Sequence, residues 1–418
     1  MKISEYLREE DVKIAISNTP QIAFEVTDAC NLQCTYCAYG KFYSDYDIRE
    51  NKKLSVDKSI MLLEYMNKLW NSSYNNSINK NVNIGFYGGE PTLNMPFIEK
   101  IVDYVENKIN CKTRKFTFSM TTNALLLHKY MDYFVVHKFN LLISLDGDEY
   151  NTSYRVNHSC KPMFNTIVKN VDLLNEKYPD YFTTNVNFNA VLHNRNSVES
   201  IYDFFKKRYN KIASIGELNN AGINKEMKEE FSRTYKNAYV SLHQSENYDK
   251  IERDMFLNAS SYITLSTYLA QYSEFTYKDY NELLFGKNEL RRIIPTGTCI
   301  PFSKKVFVTV NGKLLPCERI GHQFAIGELT DKEVKIDFNA IAEKYNNFYT
   351  RLEKQCSKCF SKKVCTQCVF SLQDIEDKLI CYRFMSKKDF EIYQNDQLIF
   401  LAEHPKDYNK IMTEILIK

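Results

Sequence analysis

Residues 28–40 read DACNLQCTYCAYG, with Cys30, Cys34 and Cys37 in a C-x3-C-x2-C spacing. The stretch follows directly on QIAFEVT (21–27), an apolar run that reads as a strand. The loop therefore leaves the carboxyl end of a strand, where parallel α/β folds gather ligands and catalytic groups. Three thiols are one too few for a closed four-cysteine site. This spacing lets a short loop wrap three thiolates around one corner of a cluster, and three ligands suit a four-iron cubane whose fourth iron is open. A zinc site with a distant fourth ligand is the alternative that the local sequence leaves standing.

The chain of 418 residues is long enough for two or three domains, and its net charge of +3 carries no nucleic-acid or anionic-membrane footprint. Its start, MKISEYLREEDVKIAI, is no signal peptide, and apolar runs such as FNLLISL are too short to span a bilayer. A soluble cytoplasmic protein is expected. Twelve cysteines in such a chain point to metal binding or catalysis rather than to disulfides. Cys299, Cys317, Cys356, Cys359, Cys365, Cys368 and Cys381 form one late block; Cys111 and Cys160 stand alone and read as small buried hydrophobes.

Strand patterns at 21–27, 82–87, 116–120, 141–145, 184–191 and 212–218 alternate with helix-like segments at 55–70, 96–108, 124–136, 164–177 and 197–209. Six strands with five intervening helices predict an α/β fold with a parallel sheet, doubly wound or curled into a partial barrel. In the fifth strand Asn185, Asn187 and Asn189 alternate with apolar residues. That row either faces a polar ligand in a lumen or is the solvated face of an edge strand. The domains read as 1–220, the barrel; 221–294, a helical linker; 295–384, a cysteine-rich domain with a hairpin at Asn311-Gly312; and 385–418, a helical tail.

Polar residues end successive strands. FYGGEPT places Gly88, Gly89 and Glu90 after the second: the glycines let backbone approach a ligand, and Glu90 offers a carboxylate to an ammonium. A G-G-E alone is as readily a strand-ending turn. TTNA (121–124) ends the third strand and SLDG (144–147) the fourth, with Arg155 beyond.

Together with the cysteine loop, in which Tyr36 precedes the third cysteine, this order of GGEP, TNA and SLDG resembles the radical S-adenosylmethionine (SAM) superfamily over about residues 20–220. The resemblance implies a partial (β/α)6 TIM-type barrel with a [4Fe–4S] cluster on Cys30, Cys34 and Cys37, its open iron chelated by SAM. It also implies cofactor contacts. Glu90 with the Gly88-Gly89 backbone would hold the methionine ammonium, and Ser144 and Arg155 would reach the carboxylate or ribose. Tyr36, Thr122, Asn123, Asp146, Asn187 and Asn189 would line the pocket.

The late block reads Cys299-x12-Gly312-x4-Cys317, then Cys356-x2-Cys359-x5-Cys365-x2-Cys368, then Cys381. Two C-x2-C pairs are also those of a zinc ribbon. The whole pattern resembles the SPASM domain, a small iron–sulfur module, and implies two auxiliary [4Fe–4S] clusters. The outer one would take Cys356, Cys359, Cys365 and Cys381, and the inner one Cys299, Cys317 and Cys368. The last spacing is x2 where that family has x3, and no further cysteine lies between Cys299 and Cys317.

Members of that family act mostly on peptides and proteins. The expected function is a maturase that installs a thioether or carbon–carbon crosslink in a ribosomally made peptide. The alternative is an anaerobic sulfatase-maturating enzyme, which oxidises a Cys or Ser to formylglycine. Glu318, in LPCERI, stands where that second family has an aspartate thought to act as base; equally, Glu318 pairs with Arg319 or solvent. A non-catalytic cluster scaffold is a third reading, opposed by the intact cysteines and GGE. Implied partners are the precursor peptide or protein substrate and an electron donor such as flavodoxin or ferredoxin. About 20 residues precede the first strand, too few for a winged-helix leader-binding module, so a separate binding protein or the barrel itself is expected to recognise a leader.

Overall fold

A computed structural model describes residues 6–76, 80–272, 294–372, 375 and 379–416. The end of the expected helical linker, 273–293, lies outside the described residues. The chain divides into two compact units, one made of Glu9–Asp254 with Ile300–Ile341, the other of Met1–Arg8, Met255–Cys299 and Ala342–Lys418.

In the first unit, helix α1 (Glu9–Ser17) leads into β1 (Gln21–Thr27), α2 (Val56–Trp70), β2 (Lys80–Gly88), α3 (Met95–Asn107), β3 (Arg114–Thr122) and α4 (Leu127–Val136). There follow β4 (Asn140–Ser144), α5 (Phe164–Lys177), α6 (Pro179–Asn185), β5 (Val186–Leu192), α7 (Val198–Tyr209) and β6 (Ser214–Glu217). The strands β1 to β6 pair in parallel in chain order, which is the topology of a (β/α) barrel left open at its ends. Serines start the helices where the pattern predicts: the Ser55 hydroxyl accepts from Lys58 N ahead of α2, and Ser197 caps α7.

Most boundaries shift by one or two residues from the sequence reading, and two of the shifts have a backbone cause. Ala124 has φ +62, so α4 cannot begin at 124 and starts at Leu127. Pro179 stands in the first turn of the short helix α6, which takes Asn185 away from the fifth strand. The lone cysteines also differ: Cys160 is exposed, in the left-handed region at φ +57, and Cys111 is half-buried.

The sheet continues past β1. Strand β7 (Val306–Val308) pairs with it in parallel, and β8 (Lys313–Leu315), β9 (Gly327–Leu329) and β10 (Val334–Lys335) follow antiparallel. The β7–β8 hairpin turns at Asn311-Gly312 with Gly312 at φ +82, a conformation that favours glycine.

Alternate residues of each strand face opposite ways. Ile22, Phe24, Val26, Ile84 and Phe118 are buried on the helix side, where Phe24 meets Phe97 of α3 at 6.0 Å and Phe188 meets Phe205 of α7 at 4.6 Å. Each such side chain contributes about 1.5–3 kcal/mol by leaving water. The other face looks into a lumen.

The second unit is mostly helical, with Ser260–Tyr272, most of Phe338–Cys356, Lys387–Glu403 and Pro405–Ile411. The Asn346 amide accepts from Tyr6 N and Leu7 N at 3.0 and 2.9 Å, and Tyr262 donates to Asp407 at 2.6 Å. Among the described residues, no helix is long and apolar enough to cross a membrane.

Candidate active site

Strand β1 delivers Cys30, Cys34 and Cys37 on a loop that short backbone bonds fold over itself, Cys37 N to Cys34 O at 3.1 Å and Gly40 N to Cys37 O at 2.8 Å. Protein donors already face the sulfurs. Leu32 N lies 3.4 Å and Asn123 Nδ2 3.9 Å from the Cys30 sulfur, and Arg49 Nη2 lies 3.6 Å from that of Cys37. Burial pushes the Cys30 thiol up to about 11 and that of Cys34 up to about 12. The charges of Arg49 and Arg155 oppose burial at Cys30 and Cys34 respectively, and each of these thiols feels Cys37. Thiols that sense one another's charge and accept N–H bonds fit an iron–sulfur cluster, whose ligands are thiolates in such surroundings. Among the described residues, no three His, Cys, Asp or Glu side chains converge on a single metal ion.

The glycines also serve the loop itself. A Cβ on Gly89 would stand 2.0 Å from the Ala29 carbonyl oxygen, and one on Gly88, at φ +137, 2.2 Å from that of Thr27. What approaches Gly88 and Gly89 is the backbone leading into the cysteine loop, clasped by Gly89 N to Thr27 O and Glu90 N to Ala29 O, both 2.8 Å. Glu90 is 1 % exposed, and its carboxylate accepts from Thr92 Oγ1 at 2.6 Å, Thr122 Oγ1 at 2.7 Å and Asn123 N at 2.8 Å. Burial raises its pKa against those bonds. Here Glu90 ties the ends of β2 and β3 together. Asn123 in turn donates to Asn31 Oδ1 at 2.7 Å, beside Cys30.

A second group joins the loop to β4 and β5. Arg155 grips Asp146 with two bonds, 3.0 and 2.8 Å, and Val191 N donates to the same carboxylate at 2.9 Å. The Tyr36 hydroxyl donates to Asp146, and the Tyr36 ring stacks on His193 at 5.5 Å. His193 Nδ1 accepts from Arg195 N at 3.2 Å, which leaves Nε2 to carry the proton, 3.8 Å from Asp146. Burial alone would raise the Asp146 carboxyl, but Arg155 and His193 hold it down to about 2. Tyr36, Asp146 and Arg155 are 7 %, 0 % and 6 % exposed. Their polar atoms are directed at one another, and through Tyr36 they fasten the cysteine loop to the ends of β4 and β5.

Ser144 and Asn189 pair across β4 and β5, as do Leu142 and Asn187. The lumen face of these strands encloses a cavity of about 290 Å³, lined among others by Gln21, Gly85, Ser119, Leu142 and Asn187. Strand β5 lies between β4 and β6, so its Asn row is no sheet edge. Lys305 and Glu318 also line the cavity, paired at 2.7 Å. Burial pushes the Glu318 carboxyl up, and the Lys305 charge overrides it, so that it ends below the usual carboxylate range. The expected partner Arg319 is replaced by Lys305, 13 positions earlier, a pairing that the antiparallel β7–β8 hairpin creates.

Cys317 follows β8 in this same unit, with Arg319 N 3.4 Å from its sulfur. In the other unit, burial and then the charges of Cys381, Cys365 and Cys359 push the Cys356 thiol up to about 11, so these four are neighbours. Val369 N donates to Thr298 Oγ1 at 2.8 Å, which brings Cys368 beside Cys299. Residues that the sequence reading missed are Arg49, His193 and Lys305. His193 and Lys305 stand just outside strand ends, the one sign they give, whereas Arg49 lies in the segment between β1 and α2 and gives none.

Residues 24–207 match the model of the radical SAM superfamily. The cysteine-type anaerobic sulfatase-maturating enzyme of Clostridium novyi is 32 % identical over 183 residues, 43 % of this chain and 46 % of that protein. The radical SAM cyclopropyl synthase TigE of Paramaledivibacter caminithermalis is 22 % identical over 328 residues, 72 % of this chain and 66 % of that one. The chain thus spans about half to two thirds of these curated relatives. Native anSMEcpe with bound AdoMet and the Cp18Cys peptide superposes with a TM-score of 0.59 at 20 % identity, over 92 % of this chain and 99 % of that one. Streptococcus suis SuiB bound to precursor peptide SuiA gives 0.50 at 15 % identity, over 87 % and 75 %. At such identities the two structures speak for the fold alone. Fold, strand-end motifs and family model agree that this chain carries a radical SAM domain over residues 24–207.

Proposed function

We propose that the protein is a peptide- or protein-modifying radical SAM enzyme that installs a thioether or carbon–carbon crosslink in a ribosomally made precursor. The observation that carries this reading is the lumen cavity, open to side chains of every central strand and lying in the same barrel whose rim bears the three cysteines. A [4Fe–4S] cluster on Cys30, Cys34 and Cys37 with SAM would supply a 5′-deoxyadenosyl radical that removes a hydrogen atom from the substrate. Glu90 and Asn123 hold the strand ends against the cysteine loop, and the Asp146 group keeps that loop buried. Ser144, Asn187 and Asn189 present polar atoms on the lumen face, where a peptide group needs partners. The late thiols would hold two auxiliary clusters, with an electron donor such as flavodoxin or ferredoxin as partner.

A second reading, formylglycine formation, draws support from Glu318, a carboxylate kept ionised by Lys305 at the cavity wall and so ready to take a substrate proton. The two are separated by incubating the anaerobically reconstituted enzyme with a neighbouring precursor peptide and with a sulfatase peptide. Loss of two hydrogens from the first supports the crosslink; a cysteine converted to aldehyde in the second supports formylglycine. Formation of 5′-deoxyadenosine with neither product would overturn both.

A further inference from the structure

Arg49 reaches the cysteine loop from the segment that follows it. Its Nη2 lies 3.6 Å from the Cys37 sulfur, and its guanidinium carbon stands 4.3 Å above the Tyr39 ring. Its Nε is buried and has no hydrogen-bond partner among the described residues. Tyr39, two positions after Cys37, is anchored in turn by a bond from its hydroxyl to the buried carboxylate of Glu25 on β1. Val310 N donates to the other oxygen of Glu25 at 2.8 Å, so the platform beneath the guanidinium is tied to β1 and to the turn that follows β7. No motif marks Arg49, and the cofactor contacts implied by the family resemblance do not include it.

A cation fixed against one ligand sulfur, with a further buried N–H to give, is matched to the acceptor sulfurs of a cluster. Adding an electron makes a cluster more negative, and both a nearby positive charge and N–H···S bonds favour the reduced state. We propose that Arg49 sets the reduction potential of the cluster held by Cys30, Cys34 and Cys37, through its charge and its donation to the Cys37 sulfur. The inference rests on the cluster reading of that loop. It concerns one electron entering from an external reductant, and no bond of Arg49 is made or broken. Arg49 is therefore a positioning residue, and lysine cannot replace it fully, because a point charge lacks the planar fork.

The test compares wild type, R49K and R49M, each reconstituted anaerobically with iron and sulfide and assayed for iron. Each is then titrated with a low-potential reductant while the paramagnetic signal of the reduced clusters is followed. The signal that added SAM perturbs reports the cluster in question. R49M is expected to keep its iron and to show, at fixed potential, a reduced-to-oxidised ratio about tenfold lower, or about 59 mV more negative for one electron. R49K is expected to fall between. Equal midpoints in R49M and wild type at equal iron content overturn the proposal. Should R49M fail to take up iron, R49K decides, and a midpoint unchanged from wild type overturns the hydrogen-bonding role. If wild type itself takes up no iron, the cluster reading falls and this inference with it.

Discussion

The loop of Cys30, Cys34 and Cys37 is fastened from outside. Tyr36 ties it to Asp146 of the β4 end, Tyr39 to Glu25 of β1, and the Gly89 and Glu90 amides clasp its root. The late thiols of the helical unit are held by bonds that join distant stretches of that unit. Gln355 exchanges bonds of 2.6 and 3.0 Å with the backbone of Cys381, and Gly297 N donates to Gln367 O at 2.9 Å. One loop is held by a buried network of side chains; the other thiols are held mainly through bonds to the backbone around them.

The largest expected contrast comes from the thiols themselves. Cys34→Ala should lose about four irons and all 5′-deoxyadenosine formation. Cys356→Ala should lose irons yet still cleave SAM, without modifying peptide. Iron assay and chromatography of the products check both, and equal loss of cleavage in the two variants would erase the distinction.

Next comes the network. Asp146→Asn leaves the Arg155 guanidinium buried without its countercharge, which should cost about 3–5 kcal/mol in denaturant unfolding of the apoprotein. Breaking the Gln355 bonds by Gln355→Ala should cost about 1 kcal/mol. The Asp146 carboxylate also predicts a pH dependence. Because its folded pKa is depressed to about 2, its stabilising contribution is present above the ordinary carboxylate range. That contribution is lost as pH falls from about 4 toward 2, and the D146N variant should lack this part of the acid limb. Thermal unfolding between these pH values measures it.

Lys305→Met removes the charge that opposes burial at Glu318, so the carboxyl should titrate higher and the acid limb of the modification rate should move up in pH. At the low end of the profile the rate should fall about tenfold. An unmoved profile would separate Glu318 from the chemistry. The smallest effect is expected at the exposed Cys160, where Cys160→Ser should stay within about 0.5 kcal/mol and leave iron content unchanged.

Much of the barrel was legible in the chain. Strands at 21–27, 82–87 and 116–120 announce themselves by β-branched and aromatic runs, and each helix between them by its periodicity, because both signals are local. The cysteine loop and the motifs GGEP, TNA and SLDG were equally plain, since each occupies consecutive residues. Their roles were less so. Tyr36 and Asp146 are 110 positions apart, and no spacing rule links them. Gly89 also stands where two backbones touch, which no local pattern announces.

By itself, then, the sequence determined which residue types stand at the carboxyl ends of which strands, and with them the kind of chemistry on offer. Tertiary structure alone decided how those residues divide their labour. Burial forces a polar atom to find a partner, and only the fold sets which partner is within reach. It turned Asp146, Arg155 and Tyr36 toward one another, matched Glu318 with Lys305, and left Arg49 facing the sulfur of Cys37. The three cysteines posed the question of what fills the fourth place; the folded chain adds which side chains hold them ready for it.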